Sequence, residues 1–260
     1  MNIPEILITH DAAHVGSKAS EEFVRITQRA VQLRGRAAVA LSGGSTVHAL
    51  LAWLVTQPLT DMVPWDRIDL FWSDERLVPA SDAESNHGVA LREYLSRLPI
   101  PPENLHLPPL GLDSPAAAAA AYEEEIRRCV DTFGSPIPRF DLVFLGLGMD
   151  GHLASLFPGA AASWDWERLV LPSRSDTAMY DRITFSPTLL LGASRVVVLV
   201  AGDEKAGILK TVLESAADVD RYPAQVLEHA QGHVIWILDV AAAAGLSRGQ
   251  PAEETEAPWW

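Results

Sequence analysis

Residues 140–159 read FDLVFLGLGMDGHLASLFPG, and the run FDLVFLG at 140–146 decides the fold class. It is nearly all apolar, without the alternation of a strand that shows one face to water. Such a strand is covered on both faces, as in a parallel sheet. RVVVLVAG at 195–202 is of the same type. AAVAL (37–41), IDLFW (68–72) and HVIWIL (233–238) read as further buried strands, with EILIT (5–9) as the first. Helical stretches lie between them: from Asp11 as N-cap to about Arg34, after Thr46 to about Gln57, from Asn86 as cap to about Arg97, and from Ser114-Pro115 to about Asp131. Strands alternating with helices predict an α/β fold with a mostly parallel sheet. No internal repeat is visible. The expected organisation is one α/β domain over residues 1–245 and a flexible acidic tail over 246–260, which closes on GQPAEETEAPWW.

Composition narrows the functional classes. The chain has 260 residues and a formal net charge of −14. That balance argues against broad nucleic-acid binding, which needs a basic face to neutralise phosphates. A small phosphate ester needs only one local group of Arg and Lys. No apolar run approaches the roughly 20 residues of a membrane span, and the start MNIPEILITHDAAH lacks the basic and apolar regions of a signal peptide. A cytoplasmic location without a membrane or nucleic-acid partner is therefore expected. The single cysteine, Cys129, allows no internal disulfide and has no nucleophile context.

In open α/β sheets, ligands bind beyond the carboxyl ends of the strands, and three strand ends here carry unusual polar residues. The first is Ser42-Gly43-Gly44-Ser45-Thr46, where a strand runs through two glycines into a helix start. Free amides and the helix dipole at such a turn favour an anion; a plain turn with a Ser or Thr cap fits the same residues. The loop is not a Walker A motif, which needs G-x-x-x-x-G-K-[ST]. The second is WSDERLVP at 72–79. Alone it reads as a solvated loop. Beside the first loop, Arg76 becomes a candidate phosphate clamp and Asp74 a candidate acid, base or orienting group.

The third is GLGMDGHLASLFPG at 146–159, with a formal G-x-G-x-x-G at Gly146, Gly148 and Gly151. A dinucleotide loop would open a long helix and be followed by a second strand ending in an acidic residue. Here Pro158 breaks any helix within about two turns, and WDWERL at 164–169 is no clean strand. Asp150-Gly151-His152 instead places an acid and an imidazole at a strand end, the usual parts of a general base. Arg182, in DRITFSP, and Lys205, in a helix start where its charge opposes the dipole, fit an anion site and equally fit surface charges. No G-x-S-x-G elbow is present. His10 and His14 flank Asp11 loosely like zinc ligands, but Asp11 is better used as a cap and no third ligand suggests itself.

Together, SGGST (42–46), SDERLVP (73–79) with Ser85-Asn86 downstream, GLGMDGHLASLFP (146–158), RIT (182–184) and GDEKAGIL (202–209) resemble the 6-phosphogluconolactonases in order and spacing. The wider superfamily includes glucosamine-6-phosphate deaminases. Those carry Asp-Glu-Tyr where this chain has Asp74-Glu75-Arg76, and an Asn-Glu-Pro segment after Asp-Gly-His where this chain has Ser155-Leu156-Phe157-Pro158. One departure is Val47, where the family loop commonly has Pro. The resemblance implies a Rossmann-like three-layer fold, a mostly parallel central sheet flanked by helices, without a dinucleotide. It implies hydrolysis of 6-phospho-glucono-1,5-lactone to 6-phosphogluconate and no metal or organic cofactor. On that reading the partner is a small phosphosugar lactone and the protein is a monomer or small homo-oligomer. The 42–46 loop with Arg76, Arg182 and Lys205 would hold the 6-phosphate. His152 would activate water, with Asp150 and Asp74 as orienting carboxylates. Rival readings are a deaminase-like sugar-phosphate isomerase and a non-catalytic phosphosugar-binding protein.

Overall fold

The computed structural model describes residues 4–160, 164–174 and 179–247. Its centre is a six-stranded sheet of β1 (Glu5–Thr9), β2 (Ala37–Leu41), β3 (Ile68–Trp72), β5 (Leu142–Gly146), β8 (Arg195–Val200) and β9 (His233–Asp239). The order is β1-β9-β8-β5-β2-β3, and every pairing is parallel. The missing alternation of the sequence is explained by two buried faces. Leu142 and Phe144 of β5 point to one core and Val143 and Leu145 to the other; Val197 and Leu199 of β8 part from Val196 and Val198 in the same way.

One face is covered by α1 (Ala12–Arg34) and α2 (Ser45–Leu54), with the short α3 (Leu59–Met62) and α4 (Asn86–Glu93) near the β3 side. The other is covered by α5 (Pro115–Cys129), α6 (Pro187–Gly192), α7 (Ala206–Glu214) and α8 (Val240–Ala243). α1 begins as expected, with Asp11 accepting the His14 amide, and Gly35 in the left-handed conformation ends it. Ser114 caps α5 through the Ala117 amide, with Pro115 at the first helical position.

Two local expectations need correction. The cap of α4 is Ser85, whose Oγ accepts the Gly88 amide at 3.1 Å; Asn86 is the first helical residue and turns its side chain elsewhere. Asp74-Glu75-Arg76 is not a solvated loop. It is β4 (Asp74–Arg76), which pairs antiparallel with β7 (Arg182–Phe185), itself paired with β6 (Val170–Ser173). This three-stranded sheet sits beyond the carboxyl end of β3.

Leu246 packs on the core and Ser247 hydrogen-bonds to Glu214. The remainder of the tail expected over 246–260, from residue 248, lies outside the described residues. No helix among the described residues is long and apolar enough to cross a membrane.

Candidate active site

The strand order reverses between β2 and β5: β2 leads to β3 on one side, and β5 to β8 and β9 on the other. Loops leaving the two strands diverge and open a crevice at their carboxyl ends. A cavity of about 220 Å³ lies there. Ser42, Gly43, Gly44, Ser45 and Thr46 line it from β2, His152 from the β5 loop, Asp74 and Arg76 from β4, Arg182 from β7, and Lys205 from the turn after β8. Asp150 does not line it but stands behind His152.

The 42–46 loop leaves the α2 amino end uncapped by any side chain, because Gly44 occupies the cap position. A Ser or Thr cap is thus absent at this helix start, and the loop that carries its first amides lines the cavity. Gly43 is needed for close approach, since a Cβ there would run into the Asn86 amide group. That group is fixed by its Nδ2, which donates to the Asp74 carbonyl at 2.9 Å.

The candidate acid–base pair is local. Asp150 Oδ1 lies 2.5 Å from His152 Nδ1 and accepts the His152 amide at 3.2 Å. Partial burial alone would raise the Asp150 pKa, but the bonds to His152 outweigh it and hold the carboxyl below its ordinary value. With Nδ1–H given to Asp150, Nε2 is the ring nitrogen free to act as a base. The glycines of this loop serve that geometry: a Cβ on Gly148 would strike the His152 ring and fall 2.7 Å from Asp150 Oδ1. Ala154, also in the lining, adopts φ 49, a left-handed conformation that disfavours any Cβ.

Asp74 makes no hydrogen bond to the imidazole. Its carboxylate is buried and accepts Ser42 Oγ at 2.7 Å and Ser155 Oγ at 2.8 Å. It therefore ties the β2 loop and the His152 loop to β4, while Asp150 is the carboxylate bonded to the ring and Phe157 packs against it, with centroids 4.8 Å apart. Arg182 Nη1 donates to the same Ser155 Oγ at 3.3 Å, and its guanidinium lies 5.3 Å from the centre of the Phe157 ring.

Arg76 and Arg182 are direct cross-strand partners in the β4–β7 register. Like charges so placed destabilise a sheet unless an anion or acid offsets them. Arg76 Nη1 bonds Glu84, but the Nε atoms of both arginines are buried without a partner among the described residues. Burial lowers the Arg182 pKa, with Asp74 opposing the shift and Arg76 adding to it. Lys205 Nζ donates to the Leu147 carbonyl at 2.8 Å; burial lowers its pKa too, against the pull of Glu204 and Asp150.

Behind Arg76, Glu75 is fully buried. Its carboxylate accepts the amides of Arg76, Asn86 and His87 and lies 2.5 Å from His87 Nδ1. An acid at the α4 amino end also complements the helix dipole. Sequence reasoning gave no role to Glu75, to the Asn86 side chain at the cavity, to Ser155 as a bridge, or to Glu204 in the lining. The available signals were a Glu between two charged residues after a buried strand and the presence of Asn86 and Ser155 within the motifs of the resemblance.

Donor groups close enough for a metal ion among the described residues are His10–Asp11–His14 and His106–Glu125–Cys129. Neither lines this cavity. Asp11 is used as the α1 cap and bonds both histidines.

A family model described as glucosamine-6-phosphate isomerases/6-phosphogluconolactonase matches residues 10–236. The chain is 38% identical over 218 residues to a 6-phosphogluconolactonase of a Nostoc species, covering 84% of this chain and 88% of that one. It is 33% identical to the 6-phosphogluconolactonase of Streptomyces coelicolor, covering 94% and 95%. A solved 6-phosphogluconolactonase from Trypanosoma cruzi superposes with a TM-score of 0.83 at 28% identity, over 95% of this chain and 99% of that chain. A monomeric glucosamine-6-phosphate deaminase shares the fold, with a TM-score of 0.77 at 18% identity, over 93% and 99%.

Proposed function

The chain belongs to the family of glucosamine-6-phosphate isomerases and 6-phosphogluconolactonases, and on that premise we propose that it hydrolyses 6-phospho-D-glucono-1,5-lactone to 6-phosphogluconate, the second step of the oxidative pentose phosphate pathway. The observation that carries this reading is the convergence of two kinds of group on one cavity. Arg76, Arg182 and Lys205 bring positive charge to its lining, and His152, bonded to Asp150, brings a base to the same lining.

The 6-phosphate is held by Arg76, Arg182, Lys205 and the amides at the α2 start, through charge-assisted bonds. That fixes the lactone carbonyl near His152. His152 Nε2 takes a proton from water as the water oxygen bonds to C1. The tetrahedral intermediate collapses by breaking the C1–ring oxygen bond, and the ring oxygen takes a proton as the carboxylate forms. Asp150 stabilises the imidazolium while it exists. A general base contributes about 10²–10⁴-fold, and anchoring of the phosphate adds positioning. Asp74 acts through Ser42 and Ser155 rather than on the substrate. No step draws on a metal or an organic cofactor.

The deaminase reading lacks its carboxylate. The segment after His152 carries Ser155, whose hydroxyl is spent on Asp74, followed by Leu156 and Phe157. Residues 1–245 serve as one catalytic domain, with Leu246 and Ser247 held against it, working in the cytoplasm as a monomer or small homo-oligomer without membrane or nucleic acid. The test is acid release from freshly generated lactone at mildly acidic pH, run beside ammonia release from glucosamine-6-phosphate. Acid release well above the buffer blank without ammonia supports the reading. Ammonia release, or acid release at the blank rate, overturns it.

A further inference from the structure

A second cavity, of about 370 Å³ and thus larger than the catalytic one, opens at the opposite end of the sheet. Arg25, Arg29 and Arg34 reach it from α1, Arg139 from the segment before β5, and Arg195 from the first position of β8. Five guanidinium groups around one concavity stand out in a chain whose net charge is −14. A solvated helix face explains the α1 residues but not the arrival of Arg139 and Arg195 from two other segments.

The acids nearby offset only part of this charge. Asp141, at the cavity floor, takes Arg34 on one oxygen and the Ala38 amide on the other, and Glu22 takes Arg25. Arg29 donates to the neutral Gln32 at 3.2 Å, and Arg195 to the Ser194 carbonyl at 2.9 Å. Among the described residues, Arg29, Arg139 and Arg195 have no ion-pair partner. Asp141, already bonded to Arg34, also attracts Arg139, so one carboxylate serves two guanidinium groups, and a multiply charged anion can meet the remaining charge with directed hydrogen bonds.

The wall is aromatic as well as basic. Phe133 is 44% exposed, adopts φ 49, and carries Arg34 over its ring at 5.1 Å. With Arg34 over one face, the exposed remainder of this ring offers a surface on which a planar group stacks. A sugar monophosphate presents no planar aromatic ring for such a surface.

We propose that this cavity binds an organic polyphosphate of the nucleotide class, with its phosphates on Arg29, Arg139 and Arg195 and its base against Phe133. The site is separate from the catalytic cavity. Arg195 begins the strand whose far end, Leu199 and Val200, lines that cavity, and a strand of this length spans on the order of 15–20 Å.

The test is calorimetric titration of the full chain with ADP, inorganic tripolyphosphate and adenosine. Saturable ADP binding is expected in the wild type. Its Kd rises about tenfold or more in Arg139→Ala/Arg195→Ala and stays unchanged in Arg182→Ala. Phe133→Ala weakens ADP but not tripolyphosphate. Unaltered acid release by the Arg139→Ala/Arg195→Ala variant certifies its fold. The proposal is overturned if ADP does not bind, if its affinity depends on Arg182 and not on Arg139 and Arg195, or if tripolyphosphate binds as tightly as ADP.

Discussion

Arg76 and Arg182 face each other directly across the β4–β7 pair, and both keep a buried Nε without a partner among the described residues. A cross-strand pair of like charges is a cost to the free protein. An anion between the two guanidinium groups turns that cost into binding energy. Arg76→Ala and Arg182→Ala are therefore expected to raise KM by roughly 10–100-fold each, with kcat changed by a few-fold at most. Steady-state kinetics of the two variants checks this. A fall in kcat at unchanged KM would place the phosphate elsewhere.

Gly148 tests the other half of the site. A methyl group there displaces the His152 ring from Asp150. Gly148→Ala is expected to lower kcat on the order of 10²-fold while leaving KM and Tm nearly intact. Asp150→Asn behaves alike, because a neutral amide does not stabilise the imidazolium and its NH2 can hold the ring in the other tautomer. Full activity in both variants would show that the pair does not set the rate.

Glu75 is structural. Its carboxylate is fully buried and fixes Arg76, the start of α4 and His87 at once. Removing one member of a buried charged network costs about 3–5 kcal/mol, so Glu75→Ala is expected to lower Tm by on the order of 10 °C. Thermal unfolding measures it. Because Asn86 and Arg76 shift with it, substrate affinity falls as well.

A pH dependence of stability follows from His106. It stacks on Phe71 at 4.2 Å and lies between Glu125, 2.7 Å away, and Asp69, 3.3 Å away. Burial lowers its pKa, but the two carboxylates outweigh burial and raise it above 6.5. Burial likewise raises Glu125, yet Arg128 and His106 bring it down from 4.5 to about 2. The His106 contribution is full below pH 6.5 and is lost as pH rises through its raised folded value. The Glu125 contribution is present above 4.5 and is lost as pH falls toward 2. His106→Gln should therefore lower Tm more between these limits than at alkaline pH; an equal loss at both would reduce the site to packing.

Much of this was legible in the residues. Unalternating apolar runs such as FDLVFLG announce a sheet buried on both sides, and polar residues at three strand ends mark the crevice. The antiparallel pairing of β4 and β6 with β7 was not legible. Asp74-Glu75-Arg76 has no strand pattern, because polar partners bury Asp74 and Glu75 rather than apolar packing. Asn86 and Ser85 are equally good caps in isolation; only the approach of Gly43 shows why Asn86 turns to the cavity. The basic cavity draws on three segments of an acidic chain, so its charge vanishes in the composition.

The central claim is that His152 is the base for opening the lactone, and the most direct measurement is acid release by His152→Ala beside the wild type at mildly acidic pH. The account predicts a kcat lower by about 10²–10⁴-fold with KM nearly unchanged, because the phosphate contacts remain. Normal kcat in the variant would contradict it.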